Sequence, residues 1–190
     1  MDILALAAAE AMDGKANDRP SRMDPAAFEP VMRLHERMVL VTALRLLGNL
    51  EDAKDASQEV FLRLFRHWEK REVGSNTAGW LYRVTVNVCH DMRRRGRGEA
   101  PMEDAALVVD RAADPQQNVT DAERRAVMRM SLRMLSEKER AAVVLRDLEG
   151  LSTAEAAAAL GSTEATVRSQ IAKARVKMKG FVESYFRRRT

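Results

Sequence analysis

Two stretches of the sequence concentrate positive charge where it could bind an anion. Arg93, Arg94, Arg95 and Arg97 stand almost side by side, and the last quarter of the chain holds a second basic run. Guanidinium groups donate hydrogen bonds from a planar fork that matches phosphate oxygens. The net charge is only +4, so this clustering is what indicates an anionic partner such as nucleic acid. For the arginine block, a solvated helix end is the alternative.

Residues that could perform catalytic or metal chemistry are few and scattered. Cys89 and His90 are adjacent, but His35 and His67 lie far away along the chain, and no further ligand stands at zinc spacing. The single cysteine excludes an intramolecular disulfide. The acidic residues fall on predicted helix faces or in a linker, not in a catalytic cluster. We therefore expect no metal, no cofactor and no enzymatic activity, which leaves an enzyme acting on nucleic acid as the least favoured alternative.

The composition favours helices throughout. The chain is 46% hydrophobic and 32% charged, rich in Ala, Leu, Glu, Arg and Met, and it has no convincing alternating strand pattern. We predict an all-α fold. No uncharged apolar run approaches the roughly 18 residues that a membrane span needs. The N-terminal ILALAAAEAM lacks a basic flank, so it is a poor signal peptide. We expect a cytoplasmic protein without membrane insertion.

Three helices are predicted in the first half of the chain. The first begins at Asp24-Pro25, is restarted or kinked at Pro30 and ends at Gly48. Its apolar positions are Val31, Leu34, His35, Met38, Val39, Leu46 and Leu47. Asn49 caps the second helix, whose apolar stripe is Ala53, Ala56, Val60, Phe61, Leu64, Phe65 and Trp68. The third runs from about Trp80 to Arg95, with Leu81, Val84, Val88 and Met92 on one face.

The charge pattern divides the chain into segments. Residues 1–22 are predicted to be a disordered leader, and residues 23–97 form a first helical domain. Residues 98–119 contain five acidic residues and one arginine, which predicts a flexible acidic linker. Residues 120–190 form a second helical domain. The prediction is thus two small helical domains joined by a flexible linker.

The second domain carries the signals of a helix-turn-helix. Ser136 and Glu139, and again Ser152 and Glu155, have the spacing of a capping box, which fixes two helix starts. Gly161 interrupts the following helix-prone stretch and suits the tight turn, because glycine adopts a left-handed conformation at little cost. Thr163 then caps the next helix, which buries Val167 and Ile171 in a helix-turn-helix.

The outer face of that last helix is the candidate for reading DNA. Its N-terminal residues could reach base edges in a major groove, with Arg168 placed to bond a guanine and Glu164 a cytosine amine. A solvated charged face is the alternative. The candidate contact residues are Thr163, Glu164, Ala165, Thr166, Arg168, Ser169, Ala172 and Lys173.

Three stretches together resemble one protein family. LSEKERAAVVLRDLEGLSTAEAAAALGSTEATVRSQIAKARVKM resembles the promoter-recognition domain, domain four, of bacterial sigma factors. LLGNLEDAKDASQEVFLRLFRHW resembles the polymerase-docking segment of sigma domain two, and NTAGWLYRVTVNVCHDMRRRGR resembles its promoter-melting segment. The short linker is typical of the extracytoplasmic-function, group four, sigma factors. The resemblance covers roughly residues 24–97 and 120–182.

The resemblance implies partners and site residues. Core RNA polymerase would be bound through the clamp helices of its largest subunit and through its flap, promoter DNA would be the template, and an anti-sigma factor would be the regulator. The implied polymerase-binding residues are Asp55, Gln58, Glu59 and Leu62. The implied residues for melting and reading the minus-ten element are Ser75, Asn76, Thr77, Trp80, Arg83, Asn87, Arg93, Arg94 and Arg95. Trp80 is equally well explained as a core residue.

A different function remains open for the same pattern. A stand-alone helix-turn-helix regulator would bind a palindrome as a dimer, with residues 24–97 as a sensor or dimerisation domain, and would not need polymerase. The helix that begins after Asn49 discriminates between the two functions, because only a sigma factor requires a polymerase-docking face there.

Overall fold

The computed structural model describes residues 25–67, 76–95 and 117–188. In these ranges the chain forms helices and no strand. We number them α1 (Pro25–Leu47), α2 (Leu50–His67), α3 (Thr77–Arg95), α4 (Gln117–Arg133), α5 (Glu137–Val143), α6 (Thr153–Leu160) and α7 (Glu164–Arg187), with a π-helical segment, Val144–Leu148, after α5. The all-α prediction is confirmed. None of the described helices combines the length and apolar character needed to span a membrane.

Helices α1, α2 and α3 pack around a shared apolar core. Phe28, Phe61, Leu64 and Leu81 are among its fully buried side chains. Phe28 and Phe65 meet edge to face, with ring centroids 5.4 Å apart. The predicted stripes of α2 and α3 are confirmed at their described positions, whereas Trp68 lies outside the described residues.

The prediction for α1 needs two corrections. Pro30 does not restart the helix, which continues from Pro25 to Leu47 with the proline inside it. Pro30 is the sixth residue of the helix, so its missing N–H removes only the hydrogen bond to the Ala26 carbonyl, close to the N-terminal end. Leu34 was expected on the buried stripe but is 75% exposed. Gly48 ends the helix as predicted, with φ of 82°.

Side-chain caps fix where the next two helices begin. Asn49 Oδ1 accepts a hydrogen bond from the N–H of Glu51 at 2.8 Å, at the start of α2. Asn76 has φ of 65°, and its Oδ1 accepts from the N–H of Gly79 at 2.8 Å. Helix α3 therefore begins at Thr77, three residues earlier than the sequence suggested.

The second half of the chain follows its capping signals. Both predicted capping boxes are present, from Ser136 to Glu139 and from Ser152 to Glu155. Helix α4 begins at Gln117, so three residues assigned to the linker are helical. The π-helical segment was not predicted, because a single inserted residue in a helix leaves no clear mark on apolar periodicity.

The turn between α6 and α7 has the predicted glycine geometry. Gly161 is left-handed, with φ of 58° and ψ of 38°, and the N–H of Ser162 donates to the Ala157 carbonyl at 2.9 Å. Thr163 then caps α7 by accepting from the N–H of Thr166 at 3.2 Å. Val167, Ile171 and Ala174 are buried as expected. The turn is thus a helix-turn-helix.

The two halves of the chain pack against each other, which the sequence did not predict. Buried residues of both halves belong to one continuous apolar cluster, and α3 lies against α6. The contact face of α6 is made of small side chains, Ala156, Ala157 and Ala159, which let the helices approach closely.

We expect opposite effects from alanine at two glycines that both have free space for a Cβ. Gly161→Ala should lower the free energy of unfolding by about 1 kcal/mol, because only its left-handed backbone resists a side chain. Gly180→Ala, inside α7, should raise it by about 1 kcal/mol, because alanine favours the helix. Urea unfolding of both variants checks this. Equal effects at the two positions would contradict the assigned turn.

Candidate nucleic-acid interface

The candidate recognition face of α7 is exposed. Glu164, Ala165, Arg168, Ser169, Ala172 and Lys173 are all exposed, while Val167 and Ile171 hold the helix to the core from the opposite side. Thr163 and Thr166 are also exposed, and their hydroxyls lie 2.9 Å apart at the helix start. An exposed, rigidly capped helix N-terminus with polar side chains has the shape and polarity needed to enter a major groove.

Four basic residues of α7 have acidic partners, and two of these pairs bear on its possible contacts. Arg168 Nη1 lies 3.1 Å from Glu164 Oε2, so the two candidate base-reading side chains pair with each other one turn apart. Lys177 Nζ lies 2.8 Å from each carboxylate oxygen of the buried Glu139. That ion pair, followed by the Ser136 N–H bond, lowers the pKa of the Glu139 carboxyl. Lys177 thus ties α7 to α5, whereas Lys173 remains exposed.

The candidate residues of α3 have different surroundings. Asn87 is exposed, Trp80 is half-buried against the core, and Arg94 lies 3.9 Å from Asp91. Arg83 donates two hydrogen bonds to the Ala158 carbonyl of α6, at 3.2 and 2.6 Å. Asn76 and Thr77 form the start of α3, whereas Ser75 lies outside the described residues. Arg83 is therefore engaged between the two halves.

A cleft between the halves collects candidate residues from both. Its volume is about 440 Å³, and its lining includes Asn87 and Arg93 of α3 together with Gly161 and Thr166 of the helix-turn-helix. The polymerase-facing candidates lie elsewhere, on α2. The structure thus brings part of the two DNA-contact sets together.

An ion-pair cluster that sequence reasoning missed holds the halves together. Arg45 Nη1 lies 2.6 Å from Glu149 Oε1 and donates to the Leu148 carbonyl at 3.2 Å. The Tyr82 hydroxyl donates to the other Glu149 oxygen at 3.4 Å. Burial, followed by the neighbouring Glu149 charge, raises the pKa of Tyr82 to about 12. We call Arg45, Tyr82 and Glu149 the clasp; nothing local in the sequence marks these residues as partners.

Only three of the four residues proposed to bind polymerase are accessible to solvent on α2. Asp55 is exposed, and Gln58 and Glu59 are half-exposed, with Glu59 2.8 Å from Arg63. Leu62, which we expected on this face, is buried and only 8% exposed. It completes one helical turn from Gln58, and the apolar stripe of α2 is wide enough to include it.

The described residues contain neither a cluster that could hold a metal ion nor a reactive cysteine. No group of three potential ligands is close enough there to hold a metal ion. Cys89 is buried, and this burial raises the pKa of its thiol to about 12, so the thiolate needed for reactivity is disfavoured.

Two family matches cover the two halves separately. Residues 31–99 match the family described as Sigma-70 region 2, and residues 125–178 match Sigma-70, region 4. Among curated relatives, the chain is 39% identical over 162 residues to the ECF RNA polymerase sigma factor SigE of Mycolicibacterium smegmatis, covering 84% of this chain and 63% of that protein. It is 36% identical over 157 residues to SigM of Mycobacterium tuberculosis, covering 82% of this chain and 76% of that protein.

Solved structures share the fold. The sigma factor RpoE of Bartonella quintana, in complex with the anti-sigma factor NepR, gives a TM-score of 0.66 at 24% identity, covering 83% of this chain and 97% of that one. CnrH, in complex with the cytosolic domain of CnrY, gives a TM-score of 0.62 at 22% identity, covering 96% and 99%.

We expect Glu149→Gln to loosen the contact between the halves. The change keeps the side-chain shape but leaves Arg45 without its charged partner, so the ratio of separated to packed molecules should rise about fivefold. Energy transfer between dyes on L34C and V176C, both exposed positions, reports the separation. Cys89 stays unlabelled because it is buried.

A second carboxylate provides the control for this experiment. Glu51→Gln removes an exposed carboxylate that pairs only with Lys54, one turn away on the same helix, and should leave the transfer efficiency unchanged. An equal change in both variants would show that the clasp does not hold the halves together.

Proposed function

The chain belongs to the sigma-70 family, as an extracytoplasmic-function sigma factor, and on this basis we propose that it directs core RNA polymerase to a two-part promoter. It is an alternative sigma factor that binds the core enzyme and takes part in promoter recognition, DNA melting and transcription initiation. The observation that carries the proposal is the pair of sigma matches in the family order, each on a helical unit.

The division of labour follows the two halves. Residues 23–97 form sigma domain two, which binds polymerase and the minus-ten element, and residues 120–190 form sigma domain four, which holds the minus-thirty-five element. Residues 98–116 are the linker between them, since α4 begins at Gln117, and residues 1–22 are a leader. Sigma factors are non-catalytic initiation factors, and we extend this to the chain: polymerase performs the catalysis, in the bacterial cytoplasm.

Contacts to the minus-thirty-five element come from the exposed N-terminal face of α7. Arg168 and Glu164 read base edges, and Lys173 meets phosphate. Contacts to the minus-ten element come from Asn76, Thr77 and Ser75 around a flipped base, from Trp80, Arg83 and Asn87 on α3, and from the arginines at its end. Both sets lie on exposed or half-exposed parts of the described residues, apart from Ser75.

Polymerase binding uses the acidic face of α2. Asp55, Gln58 and Glu59 present negative and polar groups that suit a basic partner helix. Leu62 takes part only if this face rearranges on binding. The flap of the polymerase holds domain four, and an anti-sigma factor regulates the chain. The sigma factor RpoE, which has a similar fold, was solved in complex with the anti-sigma factor NepR.

The packed arrangement of the halves must open for this function. Positions −35 and −10 lie about 25 base pairs apart, which is roughly 85 Å of B-form DNA. A compact chain of this length has a radius of gyration of only about 16 Å. The two domains therefore separate when both promoter elements are bound.

Reversing the charge of the α2 face should weaken polymerase binding. Asp55→Arg with Glu59→Arg places positive charge against the basic partner, so we expect at least a tenfold loss of affinity for core polymerase, measured by fluorescence anisotropy. Glu36→Arg with Glu29→Arg is the matched control, because Glu29 pairs with Arg33 as Glu59 pairs with Arg63. Unchanged binding by the α2 variant would favour the stand-alone regulator.

Transcription from a randomised promoter library tests function and specificity together. The chain with core polymerase should yield start-site-specific transcripts from templates that share two elements. Arg168→Ala should change the base preference at one position of the upstream element by about 1–3 kcal/mol. Lys173→Ala should instead lower the affinity for all templates by the same factor. The absence of any specific transcript, with polymerase active on a control sigma factor, would contradict the proposed function.

A further inference from the structure

A second cleft between the halves has six arginines among its fifteen lining residues, and most of the others are apolar. It lies where the end of α1 and the start of α2 face α4, and its volume is about 420 Å³. Asp52 is the one carboxylate in its lining. Its arginines come from four helices: Arg45, Arg93, Arg125, Arg129, Arg133 and Arg140. We call this space the arginine cleft.

Most of this charge is uncompensated within the part of the chain that the structure describes. Arg45 pairs with Glu149, and Arg140 bonds backbone carbonyls. No hydrogen bond or ion pair to a described residue neutralises Arg125, Arg129 or Arg133. Arg93 and Arg133 lie close enough to Arg140 to lower its pKa, after burial, to about 10. The cleft thus holds repelling positive charges.

The spacing on α4 makes the repulsion systematic. Arg125, Arg129 and Arg133 follow one another four residues apart, which places them on the same face of the helix. Like charges at this spacing destabilise a helix by a few tenths of a kcal/mol per pair. A row of like charges does not stabilise a surface helix. Features that lower stability in this way are expected at functional sites.

The shape of the cleft selects among anions. Its volume falls within the range of small-molecule sites, and its walls come from both halves, so a ligand inside contacts both. Duplex DNA presents a convex backbone and needs an open surface instead. Arginine binds phosphate oxygens in a bidentate fork, and several arginines at one point match several phosphates.

We propose that the arginine cleft binds a compact oligophosphate, either free or as the phosphate tail of a nucleotide. The ligand bridges the arginines of α4 and α5 in the second half to those of α1 and α3 in the first. Binding therefore holds the halves together. This site is separate from the recognition face of α7 and from the acidic face of α2, and it does not depend on the proposed function.

Calorimetric titration of the full chain at constant ionic strength tests the site. Sodium tripolyphosphate should bind with one-to-one stoichiometry, and ATP or GTP should bind at least as well if the natural ligand is a nucleotide. Arg129→Gln with Arg133→Gln should weaken tripolyphosphate binding at least tenfold, because two charge-assisted contacts are lost. Arg33→Gln with Arg187→Gln removes the same charge from exposed positions outside the cleft and should change the affinity less than twofold.

Thermal unfolding supplies a readout that also checks the fold of the variants. Without ligand, the Arg129/Arg133 variant should unfold at the same temperature as the parent chain or higher, since repulsion is relieved. Tripolyphosphate should raise the unfolding temperature of the parent and control, but not of this variant. If the variant does not fold, Arg125→Gln alone tests the same loss.

Three results would overturn the proposal. Tripolyphosphate and both nucleotides could fail to bind saturably, or the cleft variant and the control could lose affinity equally. A polyglutamate peptide or a DNA duplex could bind in an Arg129- and Arg133-dependent manner while tripolyphosphate does not. The last result would assign the cleft to an acidic protein partner or to nucleic acid.

Discussion

The buried guanidinium of Arg140 is the constraint on which the arrangement of the helices depends. It is 5% exposed and donates to the carbonyls of Leu132 and Leu46 at 2.8 and 2.9 Å, and to those of Arg133 and Leu135 at 3.3 Å. These carbonyls lie at the C-terminal ends of α1 and α4, where the helix dipole is negative and backbone acceptors lack intrahelical partners. Burying a charge is costly, so these bonds must form together. The ends of two helices are thereby fixed against α5.

The contact between the halves has a polar part that can exchange with water. Three of the four carbonyls that Arg140 contacts belong to the second half, so separation costs it only the bond to Leu46. The clasp and the Arg83 bonds to Ala158 can exchange with water at modest net cost. The apolar part includes the small residues of α6. A sigma factor that must span two promoter elements needs this balance between packing and release.

Local signals in the sequence predicted local structure well. The capping boxes, Gly161 and the stripes of α2 and α3 depend on residues a few positions apart, so their pattern is visible in the chain. Leu34 and Leu62 were misplaced because burial also depends on which neighbours cover a helix. Arg45 and Glu149 lie 104 positions apart, and no local pattern reports such a pair. The candidate DNA residues of α7 were predicted, whereas the clasp and the arginine cleft required the fold.

The position of Arg83 couples the arrangement of the halves to DNA binding. Its guanidinium directs two of its five N–H donors, one from Nε and one from Nη2, to the Ala158 carbonyl, so this edge of the group cannot bind a phosphate at the same time. Separation of α6 from α3 frees it, so opening and contact with the minus-ten element favour each other by linkage. An oligophosphate in the arginine cleft would oppose both, because it favours the packed state in which Arg83 is occupied. Contacts between the halves, which lie outside the DNA-binding face, therefore determine whether Arg83 is free to bind DNA.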